Sequence, residues 1–163
     1  MKIYVAGSLG WGVTELSAFD HALNLSGVAN YNLIRLSSVM PPNSEIIETK
    51  KITDIPGAWG DRLYVVYAEM RTSTAGEQAW AGIGWVQDEV TGSGLFVEHE
   101  GKSETKVRSD IESSLKGLLK NRNLPDMEIH MSVVGGECID QPICALVTAV
   151  FQASDWQNTA FTL

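Results

Sequence analysis

The sequence predicts an α+β fold. Three observations carry that reading. Several short β-like runs are spread along 163 residues. Two amphipathic helical stretches stand among them without strict alternation. Hydrophobic residues make up 44% and charged residues 20%, an ordinary globular mix with too few polar tracts for disorder. A chain of this length suits one core and one domain, residues 1–163.

Ile3 to Ala6 reads as a short strand ending at Gly7. Thr14 to Ser26 reads as a helix. Thr14 caps it, Glu15 suits its positive end and Gly27 its stop. Leu16, Phe19 and Leu23 recur at helical spacing as one apolar face, with Asp20 at its edge. Val28 to Val39 reads as extended until Pro41-Pro42, which cannot continue a ladder. Residues 43–61 read as a loop or hairpin with a Pro56-Gly57 turn. Leu63–Arg71, Gln78–Gln87 and Gly94–Glu100 are strand candidates, although Gly82 and Gly84 also suit a helix. Ser103 opens the clearest helix, with Val107, Ile111, Leu115, Leu118 and Leu119 as its stripe and Asn121 at its end. Met127–Val134 and Cys144–Phe151 complete the strands, and the tail after Ser154 carries no pattern.

Twelve Lys and Arg against twenty Asp and Glu give a net charge of −8. Such a surface repels phosphate backbones, so no nucleic-acid partner is expected. No apolar run approaches the roughly 20 residues that span a bilayer, so no membrane partner is expected. The apolar part of Met1–Ser8 is too short for a secretory signal, and the reading is cytoplasmic. Cys138 and Cys144 match neither a zinc ribbon nor a Cys-x-x-Cys pair. His21, His99 and His130 are too scattered to assemble a metal site or a Ser-His triad, so no metal is expected.

One segment stands apart: Asn32-Leu33-Ile34-Arg35-Leu36-Ser37-Ser38-Val39-Met40-Pro41-Pro42. On its residues alone it is a strand end with two turn-favouring hydroxyls. It also resembles the self-cleavage site of the pyruvoyl-dependent arginine decarboxylases. Further segments carry the likeness: Ala6-Gly7-Ser8 followed by Gly12, Thr14, Leu16 and Ala18-Phe19-Asp20; Gly94-Leu95-Phe96-Val97-Glu98-His99-Glu100-Gly101-Lys102; and Cys144-Ala145-Leu146. The similarity runs over roughly residues 3–152.

The resemblance implies an αββα sandwich, assembled as a trimer or hexamer with sites between protomers. It implies that Ser37 and Ser38 form a cleavage site. The Ser38 hydroxyl would attack the carbonyl of Ser37 and move the acyl group from nitrogen to oxygen. β-Elimination and hydrolysis would then leave residues 1–37 and a 38–163 chain headed by a pyruvoyl group. That group would condense with arginine as a Schiff base and draw electrons as carbon dioxide leaves, yielding agmatine without pyridoxal phosphate. Acid resistance and polyamine supply both suit such a reaction.

Residue by residue, the resemblance makes Ser38, Glu98 and Asn32 catalytic and assigns Asp20, Leu16 and Tyr31 to substrate. Strand alternation puts Glu98 on the face of Phe96 and Glu100, opposite Val97 and His99. A carboxylate beside an apolar residue and a like charge is suited to hold a proton for return to carbon. Asp20 would take the guanidinium in a bidentate pair. Each residue also has a plain reading: Glu98 a solvated acid, Asn32 a strand-end hydrogen bonder, Asp20 a solvated helix acid, Leu16 core. Trp11, Tyr31 and the segment Cys138–Pro142 depart from the family pattern and bear on substrate choice. Two other readings stand beside the first: a decarboxylase of another amino acid, or an unprocessed, non-catalytic oligomeric module.

Overall fold

The computed structural model describes residues 1–157. The chain opens with strand β1 (Lys2–Trp11) and runs straight into helix α1 (Glu15–Ser26). β1 is longer than the sequence suggests, because Gly7 and Gly10 lie inside it and do not end it. At Gly10 a Cβ would meet the Ala18 carbonyl oxygen at 2.3 Å, so the glycine is what lets α1 lie close. Thr14 caps α1 by accepting from the Ser17 amide, and Ser17 returns the bond in a capping box. Gly27 ends it in the left-handed region at φ 90°.

The helix does not bury the expected stripe. Its buried side chains are Ala18, Ala22, Leu23 and Ser26, while Leu16 is exposed and Phe19 half-buried. The face turned to the sheet is built of small residues that permit close approach. Leu16 lies outside that sector and is not core.

The predicted extended run 28–39 is broken in two. β2 (Asn32–Arg35) and β3 (Val39–Met40) belong to different sheets. β4 (Glu45–Glu48) is neither loop nor hairpin but a parallel edge strand beside β1, with Ile3 opposite Ile46. The long strands follow: β5 (Arg62–Thr72), β6 (Gln78–Gln87) and β7 (Gly94–Gly101). Helix α2 (Glu104–Asn121), capped by Ser103, precedes β8 (His130–Glu137) and β9 (Ile143–Ser154). β8 begins and ends later than its apolar pattern, since Gly135 and Gly136 lie within it.

One sheet has the order β2-β5-β9-β1-β4 and the other β3-β7-β6-β8. Four layers result, the αββα sandwich that the resemblance implies. Ala18, Ala22, Leu63, Val65, Leu146 and Val150 fill the space between α1 and the first sheet. Ile3, Val5, Val66, Ile83, Phe96 and Val147 fill the space between the sheets. Val86, Val97, Val107, Ile111, Leu115 and Leu119 pack α2 on the second sheet. Each fully buried Leu, Ile or Val contributes about 1.5–3 kcal/mol. Gly82 and Gly84 are strand residues beneath α2; a Cβ at Gly84 would lie 2.1 Å from Ile111 Cγ2.

Candidate active site

The segment joining the two sheets holds the adjacent serines. Upstream, the chain is tied to the first sheet. The Leu36 amide donates to the Val65 carbonyl at 3.0 Å, and Arg35 Nη2 donates to the Tyr67 carbonyl at 3.0 Å. Downstream, the chain is tied to the second sheet, where Val39 lies opposite Leu95 and Met40 opposite Gly94. Ser37 and Ser38 span the gap, Ser37 exposed and Ser38 half-buried.

Making that crossing puts Ser38 at φ 68°, in the left-handed region. For a non-glycine residue this conformation costs about 1–2 kcal/mol. Two hydrogen bonds hold it there. The Phe96 amide donates to the Ser38 carbonyl at 2.8 Å. The Ser38 hydroxyl donates to Glu98 Oε1 at 2.7 Å. Both partners come from β7, two residues apart and hence on one side of the strand for their side chains. Phe96 lies in the core between the sheets. Val97 lies in the α2-side core, and the His99 ring nitrogen Nε2 pairs with Ser114 Oγ of α2 at 2.7 Å. The alternation expected for Glu98 is therefore present. Its half-buried carboxylate stands at the edge of the inter-sheet core, in contact with the hydroxyl of Ser38. A carboxylate oxygen at this distance is within reach to accept the hydroxyl's proton.

The other expected site residues do not join this pair within the chain. Asn32 begins β2, exposed, with its Nδ2 donating to the Gly60 carbonyl at 2.6 Å. The extended run from Asn32 to Leu36 spans about 13 Å before the chain reaches Ser37. Tyr31 packs on the α1 side and its hydroxyl donates to the Ile55 carbonyl at 3.1 Å. Leu16 and Asp20 sit one helical turn apart on α1, both exposed. Asp20 engages no side chain or backbone group among the described residues. The first sheet separates this helix from the inter-sheet face that carries Glu98.

Sequence reasoning missed the Phe96 amide, the Leu36–Val65 tie and the Arg35–Tyr67 contact, because backbone partners leave no side-chain signature. Elsewhere, the Cys144 thiol is pushed up to about 12, chiefly by burial and next by the charge of Glu69, so it stays protonated and unreactive. Among the described residues no group of three His, Cys, Asp or Glu side chains is placed to hold a metal. No helix there is long and apolar enough to cross a membrane.

A family model, that of the pyruvoyl-dependent arginine decarboxylases, matches residues 2–155. The chain belongs to this family. Relatives carrying that name agree. The protein of Methanocaldococcus jannaschii is 39% identical over 106 residues, 63% of this chain and 59% of its own length. That of Thermococcus kodakarensis is 32% identical over 120 residues, 71% of this chain and 74% of its own. That of Pyrococcus abyssi is 34% identical over 154 residues, 91% of this chain and 93% of its own. The chain thus spans about three fifths of the Methanocaldococcus relative and nearly all of the Pyrococcus one. Family membership implies a covalent pyruvoyl group, and the residues at the sheet crossing suit it: a strained serine, a carboxylate on its hydroxyl and an amide on its carbonyl.

Proposed function

We propose that the chain splits itself between Ser37 and Ser38 and then decarboxylates L-arginine to agmatine and carbon dioxide. The observation that carries this reading is the 2.7 Å hydrogen bond from a left-handed Ser38 to Glu98.

Glu98 Oε1 takes the proton of the Ser38 hydroxyl, Ser38 Oγ attacks the carbonyl carbon of Ser37, and the proton passes on to the leaving nitrogen. The C–N bond opens and an ester C–O bond replaces it. Elimination across the Cα and Cβ of residue 38 releases Ser37 as a carboxylate. The dehydroalanine left behind takes up one water and loses one ammonia, which leaves the ketone. Breaking the peptide also releases the backbone strain at Ser38. The pyruvoyl carbonyl then supplies an electrophile for the substrate amine and a sink for the electrons freed with carbon dioxide. Phe96 N–H holds the residue-38 carbonyl oxygen and favours negative charge on it. Glu98, freed from its hydroxyl, is positioned to return a proton to carbon.

The substrate side belongs to α1. Asp20 offers an open carboxylate for the guanidinium and Leu16 an apolar surface for the aliphatic stem. Tyr31 and Asn32 lie away from Leu16 and Asp20, Asn32 being opposite Arg62 at the far end of β5 from the Arg71 that packs on Phe19. In this reading they act from the copy that supplies Ser38, Asn32 orienting the reacting end. Because a sheet lies between α1 and Glu98, each site is completed by a second copy of the chain, in a trimer or hexamer. Exposed Trp11 (54%), Val13 (86%), Leu16 (68%) and Ile139 (72%) give that assembly an apolar surface to cover. Two unpaired cysteines suit a reducing, cytoplasmic setting.

The test is carbon dioxide release from labelled arginine, ornithine, lysine, histidine and aspartate. Arginine should be preferred by at least tenfold in kcat/KM; preference for another amino acid, or no release from any, would overturn the assignment. Co-assembled Ser38→Ala and Asp20→Asn chains should recover roughly a quarter of wild-type activity if sites are shared between copies.

A further inference from the structure

On the α1-facing side of β5, Glu69 and Arg71 alternate onto one face. Arg71 donates through Nε and Nη2 to the two oxygens of Glu69, both at 2.9 Å. Its guanidinium also lies 4.2 Å from the centroid of the Phe19 ring. Both charged side chains are half-buried. Just beyond, Ser73 Oγ donates to Glu15 Oε1 at 2.9 Å. The end of β5 therefore grips α1 at Glu15 and Phe19, on either side of Leu16 and one residue before Asp20.

A carboxylate fork beside an aromatic face is a complete receptor for a guanidinium. Here the receptor is filled by the chain's own arginine. Three carboxylates lie on this flank of the helix: Glu69 is paired with Arg71, Glu15 accepts from Ser73, and Asp20 alone has no side-chain partner among the described residues. Without Arg71, Glu69 would be a half-buried acid without its cation beside a bare ring, ready to take the same group of an incoming molecule. We propose that Arg71 is a positioning residue that sets specificity: it plugs the Glu69–Phe19 cradle and leaves Asp20 as the single acceptor for the substrate guanidinium. This inference rests on the reading of Asp20 as that acceptor.

The two halves of the pair then fail in different ways. In Arg71→Met, substrate that binds Glu69 is held with its amine away from the reacting carbonyl. Such binding lowers kcat and KM together, by about tenfold, and leaves kcat/KM within threefold of wild type, since the free enzyme reaches the transition state as before. In Glu69→Gln, the released Arg71 cation competes for Asp20, and kcat/KM falls about tenfold. The Glu69→Gln/Arg71→Met double variant removes both competitors and should restore kcat and KM to within threefold of wild type. It also leaves no half-buried charge unpaired, so it remains informative if a single variant does not fold.

Steady-state kinetics on fully cleaved protein, with Asp20→Asn in parallel, decide the matter. A double variant more than tenfold impaired, or an Arg71→Met variant that loses kcat/KM without a fall in KM, overturns the inference and makes the pair a structural clamp. If Asp20→Asn keeps its kcat/KM, the underlying assignment of Asp20 fails and the inference with it. A tenfold or greater loss in Asp20→Asn beside an unaltered Arg71→Met overturns the inference alone.

Discussion

Glu98→Gln separates proton removal from hydrogen bonding at the cleavage site. Glutamine keeps the length of the side chain and an oxygen able to accept from Ser38 Oγ across the present 2.7 Å. It cannot keep the proton. Positioned general bases contribute about 10²–10⁴-fold, which corresponds to roughly 3–5 kcal/mol of barrier. Self-cleavage should therefore slow by about two to four orders of magnitude while the fold stays intact, the carboxylate being only half-buried. Glu98→Asp withdraws the oxygen by ~1.5 Å, one carbon–carbon bond, and should fall between the two. The assay is a time course on newly synthesised precursor, following the disappearance of the 1–163 chain under denaturing conditions. Cleavage of Glu98→Gln at the wild-type rate would refute Glu98 as the base and leave strain at Ser38 as the driving feature.

Two further outcomes are expected. Gly84→Ala drives a Cβ to 2.1 Å from Ile111 Cγ2 and should destabilise by about 1–3 kcal/mol; thermal unfolding should register this as a Tm lower by ~2–12 °C, and an unchanged Tm would mean that α2 shifts freely on its sheet. Cys144 has a thiol raised from 9.0 to about 12 by burial and then by Glu69, so the stability drawn from its neutral form is complete below pH 9 and is lost as the pH climbs towards 12. Cys144→Ala should flatten that alkaline decline in denaturant titrations at pH 8 and pH 10.5, and a slope equal to wild type would contradict the raised value.

Much of the architecture is legible in the residues. α2 is readable because four of its apolar positions, Val107, Ile111, Leu115 and Leu119, are buried at helical spacing. α1 is readable in its ends, Thr14 and Gly27, but not in its buried face, because alanines carry too little hydrophobic signal to outweigh Leu16. The break between β2 and β3 is invisible in composition. It arises because two sheets compete for one extended run, and the cost is concentrated in the backbone of Ser38. Parallel pairing of β4 with β1 is a long-range choice that local pattern does not encode.

The site divides in the same way. Alternation along Gly94–Gly101 is enough to place Glu98 on the face of Phe96, but nothing local says that Ser38 arrives there from sixty residues away. Only the likeness to a family joined the two before the fold was known. The Glu69–Phe19 cradle and the Arg71 that fills it left no trace in the sequence, since these three residues come from a strand and a helix far apart in the chain.

Mass measurement of the purified protein under denaturing conditions bears most directly on all of this. Two species should appear, one ending at Ser37 and one beginning with a residue 38 that has exchanged its amine for a hydrazine-reactive ketone. An unbroken chain that turns over arginine at full rate, with no carbonyl for hydrazine to trap, would contradict the account.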